Sequence, residues 1–508
     1  MSITKTILSA SILSLTLAGS VFAATVPSLS LVKTIDTGDK KGTEIISIQS
    51  TLMQAAVSNS IKGVVDIYSL ATPEMPTLSL RIKLGLADGE QVTSVAFHPE
   101  YNYVIAAIQA ASITANGRAE IYDAKTGNLL VTVSTGIGPD AVIIDPTGQF
   151  ALIPNEGEQF SLNRTNNSYA SADGSITLLR LNKEPSQINS TLIGLPDLTG
   201  TAGFVAAKHK RYLERGIDWN QDGEITEEPL DLNGNGKIDK ESITVGTFRG
   251  IDVKAKEKNG EMLMFPLVDN KPDVLEPEYA VFSADGKTAW VVLQENNGVV
   301  VIDTASAKIT RVFGLGITTH AADLKDDDSI DFSSQLIALR EPDGITLSSD
   351  GKYLITADEG DTEPKASKVE FNAAGGGRTI SIFDAQTGDF VGDTQNQIDE
   401  GVNKAGFYPE SRSDNKGSEP EMVTHLALNG IEYVVAGLER ANGVALISLA
   451  NPSSPLVISI AAIDKTAEAG KIAPEGIAYF YDRKADKHYI YTANEKNGSI
   501  SIFEINVQ

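Results

Sequence analysis

The chain holds 508 residues, with 67 Asp and Glu against 42 Lys and Arg, a formal net charge of -25 and no cysteine. That balance excludes nucleic-acid binding through a basic surface, which needs clustered Lys and Arg to neutralise phosphates. The missing thiols exclude disulfides, zinc–thiolate centres, iron–sulfur clusters and cysteine nucleophiles.

In chain order, the first element is an address. Lys5 precedes an apolar run from Thr6 to Ala18, and Val21-Phe22-Ala23-Ala24 places small residues around a cleavage point. This pattern predicts a secretory signal peptide over 1–23, because the run is too short to span a bilayer. No later stretch is long and apolar enough to cross one. The mature chain, 24–508, is expected to be a single exported domain, periplasmic or secreted.

Next comes an orphan strand, Ser30 to Thr37, followed by a unit that recurs seven times. Each unit opens on an acidic or Pro-acidic start and an alternating strand. A turn, a second apolar strand, a polar loop, a third strand and a last strand follow. Pro139-Asp140, Pro277-Glu278 and Pro342-Asp343 open the clearest copies, and weaker ones begin at Glu44, Thr93, Glu421 and Glu475. Third strands begin at Gly63, Arg118, Gly174, Gly298, Arg378, Gly443 and Gly498. Period-two alternation marks strands, and seven four-stranded units predict a propeller. The seventh unit ends after its third strand, so the orphan strand is expected to complete it and remove an open edge. The fold class is therefore all-β: a seven-bladed β-propeller closed by an N-terminal strand, with a long insertion, 199–274, between blades 3 and 4.

That insertion carries two calcium-loop-like runs: Asp218, Asn220, Asp222 and Glu224, then Asp231, Asn233, Asn235, Lys237 and Asp239. Side-chain oxygens at positions one, three and five, Gly at six and a backbone carbonyl at seven match the first half of an EF-hand loop. Position twelve lacks its acid, being Pro229 and Ser242. Calcium is the cofactor expected here, ordering the insertion.

The propeller units place further acids where a channel mouth should be. First-strand starts supply Glu44, Asp140, Glu278, Asp343, Glu421 and Glu475. The loops after second strands supply Glu156, Glu295, Glu359, Glu439 and Glu495. Glu276, Glu341 and Glu419 stand beside the starts, while blade 2 departs with Thr93 and Gln109. So many carboxylates in one funnel repel unless protons, basic side chains or hard cations offset them. Arg340, Arg378, Arg440 and Lys496 are the basic candidates.

Pro139-Asp140 with Asn155-Glu156-Gly157-Glu158, Leu275-Glu276-Pro277-Glu278-Tyr279 with Leu293-Gln294-Glu295-Asn296-Asn297, and Ala357-Asp358-Glu359-Gly360-Asp361 resemble the choice-of-anchor I family. That family holds mesenchyme-specific cell-surface glycoprotein-like proteins, and the resemblance implies an exported YVTN/WD40-like propeller without implying a reaction. Two functions follow as expectations. One is a non-enzymatic calcium-binding module that takes an unidentified ligand or protein partner, not nucleic acid, on its acidic top face. The alternative is a calcium-dependent hydrolase of phosphoesters or lactones at the central channel.

Overall fold

The chain's β-branched alternation forms strands that are most buried where they are most apolar. Second and third strands such as Thr288–Leu293 and Gly298–Asp303 are covered on both faces by neighbouring blades, whereas the outer Thr77–Lys83 is mainly exposed. The computed structural model describes residues 26–157, 172–196, 275–360 and 376–507. It also gives the backbone of strands at Ser161–Asn163, Ser168–Ala170, Val245–Phe248, Ile251–Lys258 and Glu261–Pro266. Residues 1–23, expected to be a signal peptide, and the calcium-loop-like run from Asp218 to Asp239 lie outside the described residues.

Seven four-stranded antiparallel sheets form the blades of a β-propeller. Their innermost strands are Thr43–Gln49, Gln91–Phe97, Ile143–Ile144, Pro277–Phe282, Pro342–Leu347, Pro420–Leu428 and Pro474–Asp482. Apolar side chains fill the spaces between blades. Val65 and Ile67 of blade 1 meet Val95 and Val104 of blade 2, and Tyr68 meets Tyr489 and Ile502 of blade 7. In blade 7 the outermost strand is Ser28–Asp36, paired antiparallel with Ser499–Asn506 from Ser28↔Asn506 to Asp36↔Ser499. Leu29 is thereby buried in the cluster that joins blades 6 and 7. The two chain ends thus share one sheet, and the third strand of blade 7 is not left as an open outer edge.

Several elements stand outside the repeat, among them a short hairpin of Ser161–Asn163 with Ser168–Ala170. A hairpin, Ile317–Ala322 with Ser334–Leu339, links blades 4 and 5. A three-stranded sheet, Val245–Phe248, Ile251–Lys258 and Glu261–Pro266, lies within the 199–274 insertion. A helix, α1 (Gln397–Ala405), links blades 5 and 6, buries Ile398 and Val402, and stops at Gly406 in the left-handed conformation. The repeat does not predict α1, since it belongs to no blade. Among the described residues, no helix is long and apolar enough to cross a membrane.

Candidate functional site: the acidic channel mouth

One local device sets the site. At the start of the innermost strand, the pairing with the second strand slips by one residue in every blade. The slip falls at Thr43/Ile46, Val92/Ser94, Pro277/Ala280, Pro342/Gly344, Pro420/Val423 and Pro474/Gly476. In blade 3 it separates the Pro139↔Asn155 bridge from the Ile143↔Leu152 pair. A bulge leaves a residue unpaired and re-aims its side chain. The positions within these slips are Glu44, Thr93, Asp140, Glu278, Asp343, Glu421 and Glu475, so the repeat presents an acid in six blades of seven. Glycine after the acid permits tight packing of the ring. A Cβ on Gly344 would lie 2.8 Å from the Glu421 carbonyl oxygen, and one on Gly476 2.6 Å from that of Glu44. Glu341, Glu419 and Ala473, each before a bulge proline, hold positive φ of 46°, 56° and 56°. Such strain persists only where surrounding contacts over-determine it.

Five of the bulged acids and three of the second-loop acids line one cavity of about 420 Å³, whereas Glu278 and Glu156, also expected at the mouth, are not among its lining residues. Glu44, Asp140, Asp343, Glu359, Glu421, Glu439, Glu475 and Glu495 face it, with Thr93, Tyr279, Arg440 and Lys496 among their neighbours. Oxygen donors gather in three groups, each within 4.8 Å: Asp140, Glu156 and Glu278; Glu359, Glu419 and Glu421; Glu439, Glu475 and Glu495. Glu295, expected at the mouth, is half-buried and does not line the cavity. In blade 2, the Thr93 hydroxyl donates to the Pro139 carbonyl at 2.8 Å. The bulge position can therefore staple neighbouring blades with one hydroxyl, and that task does not require a carboxylate.

Electrostatics follow from crowding. Burial pushes the Glu44 carboxyl up to about 8, against a hydrogen bond from Ser60 and with Glu495 and Asp140 adding repulsion. Burial, with Glu359 and Asp140 nearby, raises Asp343 to about 8. Glu421 and Glu475 are raised well above the carboxylate range by burial and then by Glu439. Basic groups offset part of this charge. Lys416 bonds Glu359 and Glu419, Arg440 bonds Glu419 and Glu439, and Lys496 bonds Glu495. Burial alone would depress the Lys416 ammonium, but Glu359, Glu419 and Glu421 hold it firmly charged.

Two of the four basic candidates serve elsewhere. Arg340 is buried against Asp393 and Asp358 inside blade 5. Arg378 donates to the carbonyls of Asp323, Ser413 and Asn415. Lys416 escaped sequence reasoning because it sits in the irregular link after α1, outside the repeat. Its only signal was its position three residues before Glu419.

A model of the choice-of-anchor I domain matches residues 44–375 and 365–452. The chain belongs to the choice-of-anchor I family. Among solved structures, hydrazine synthase of Kuenenia stuttgartiensis aligns with this choice-of-anchor I chain at 11% identity and a TM-score of 0.51, covering 93% of this chain and 98% of that one. The β-propeller domain of Cps50 (Swd1) from Myceliophteria thermophila aligns at 10% identity and a TM-score of 0.48, covering 94% and 100%. Likeness at such identity concerns the fold alone. No curated protein matches the chain.

Proposed function

We propose that this choice-of-anchor I propeller is an exported binding module whose acidic channel mouth takes a cationic ligand, calcium above all. The observation that carries the reading is the repeated bulge, from which five blade-start acids line one cavity with second-loop acids beside them. Hard cations take six to eight oxygens from carboxylates, carbonyls and water, and a carboxylate-lined cavity supplies that chemistry. The family and the fold fit a surface or exported binding module, since propellers carry function in loops set on a rigid scaffold. Among the described residues no histidine lines the cavity, so a hydrolase of phosphoesters or lactones would depend on the same bound cation for its water nucleophile.

Calcium titration by calorimetry tests the reading. Asp218 and Asp231 are first replaced by Ala, so that the insertion loops cannot contribute. The expected result is calcium binding that one neutral substitution in each cluster, Asp140→Asn, Glu421→Gln and Glu475→Gln together, abolishes. Binding that survives the triple substitution removes the mouth as the site. Turnover of chromogenic phosphoesters or lactones that disappears with the triple substitution would favour the hydrolase instead.

A further inference from the structure

Of the three carboxylate groups, the one between blades 5 and 6 has a single ammonium, that of Lys416, against two of its three members. Glu359 leaves the second strand of blade 5, and Glu419 and Glu421 flank Pro420 at the start of blade 6. One oxygen from each lies within 4.8 Å of the others. The Lys416 ammonium reaches two of the three, Glu359 and Glu419. Glu421 is 8% exposed, yet its Oε2 atom is buried without a hydrogen-bond partner. A buried carboxylate oxygen without a partner carries a desolvation penalty. A lysine is a compact point charge on a flexible stem, and here it bonds two of the three acids, while Glu421 has the neighbouring Asp343 carboxyl as its hydrogen-bond partner and keeps Oε2 unpaired.

We propose that Glu359, Glu419 and Glu421 form a divalent-cation site in which Lys416 is a tethered stand-in, displaced when the metal binds. The inference rests on the cation-binding reading above and assigns it a place and a competitor. A doubly charged ion engages all three carboxylates at once, which an ammonium does not do here. The Lys416 backbone lies against Gly360, where a Cβ would come within 2.2 Å of the Lys416 carbonyl oxygen. The loop is thereby anchored by its main chain, and the side chain alone has to swing away. Arg440 bridges Glu419 and Glu439 and stays in place as the framework of the cage.

Calcium binding to the full chain carrying Asp218→Ala and Asp231→Ala is measured at fixed pH by calorimetry. The measurement is repeated with Lys416→Met, with Glu421→Gln and with both. Far-ultraviolet circular dichroism checks folding, and Lys416→Gln replaces Lys416→Met if the latter fails to fold. Removing the competitor should tighten calcium binding about tenfold or more and enlarge the calcium-induced rise in melting temperature. Glu421→Gln should weaken binding about tenfold and cancel the gain in the double variant. If calcium binds but neither substitution changes its affinity, or if Lys416→Met weakens it in a folded protein, the inference falls while the channel-mouth reading stands. If no preparation binds calcium, both fall.

Discussion

Replacing Arg340 by Met should lower the melting temperature by about 3–5 °C with little effect on the channel mouth. Arg340 is 2% exposed, and its Nη1 atom lies 3.0 Å from Asp393 and 3.6 Å from Asp358. Its Nε and Nη2 atoms donate to the carbonyls of Leu315 and Ile317 at 3.2 and 3.1 Å, and its guanidinium lies 4.3 Å from the centre of the Phe390 ring. Burial alone would raise the Asp393 carboxyl, yet Arg340 holds it below the usual range. Burial raises Asp358 to about 6 even with Arg340 opposing it. Methionine fills the space but strands two carboxylates in the interior, a loss of about 3–5 kcal/mol. A chain this long gains roughly 1 kcal/mol/K of unfolding entropy, so each kcal/mol moves the transition by only about 1 °C. Thermal melts check the result, and an unchanged transition would show that the aspartates have found other partners.

The second large effect is a pH dependence that belongs to Glu44. Its carboxyl sits near 8 in the folded chain against 4.5 ordinarily. Protonation therefore favours the fold. The stabilisation is complete below the unfolded value and is lost as pH rises through about 8. Glu44 faces Ser60, Glu495, Asp140 and Lys496; Lys496, held charged by Glu495 and Glu439 against its burial, does not titrate in this window. Without divalent cations, wild-type melting temperature should fall about 3–5 °C more than that of Glu44→Gln between pH 5 and 9. Contact with cavity water keeps the effect below the full value of the shift. Parallel profiles for the two proteins would show that Glu44 ionises normally.

Much of this architecture is legible in the sequence because repetition amplifies weak signals. No single Pro-acid pair specifies a bulge, but the same pair at Pro139, Pro277 and Pro342, echoed at Glu421 and Glu475, marks one position in a ring. The alternation of the third strands fixes which residues are buried between blades. Helix α1 and the Lys416 loop were not legible, since they occur once and have no register to borrow. Arg340 and Arg378 lie near the mouth acids in the sequence, which makes them candidate partners for those acids. Their long side chains instead turn into the blades, where Asp393 and backbone carbonyls compete for them. Glu359 directly follows the second strand of blade 5, and its counterpart in blade 4 is Gln294; Glu295 stands one residue further along and does not line the cavity.

Anomalous diffraction from crystals of the mature protein grown with manganese or calcium tests the central claim most directly. The account predicts a peak on the propeller axis side of blades 5 and 6, within about 2.3–2.6 Å of carboxylate oxygens for calcium. Peaks confined to the insertion or the outer rim, with the axial carboxylates bound only to Lys416, Arg440 and Lys496, would contradict it.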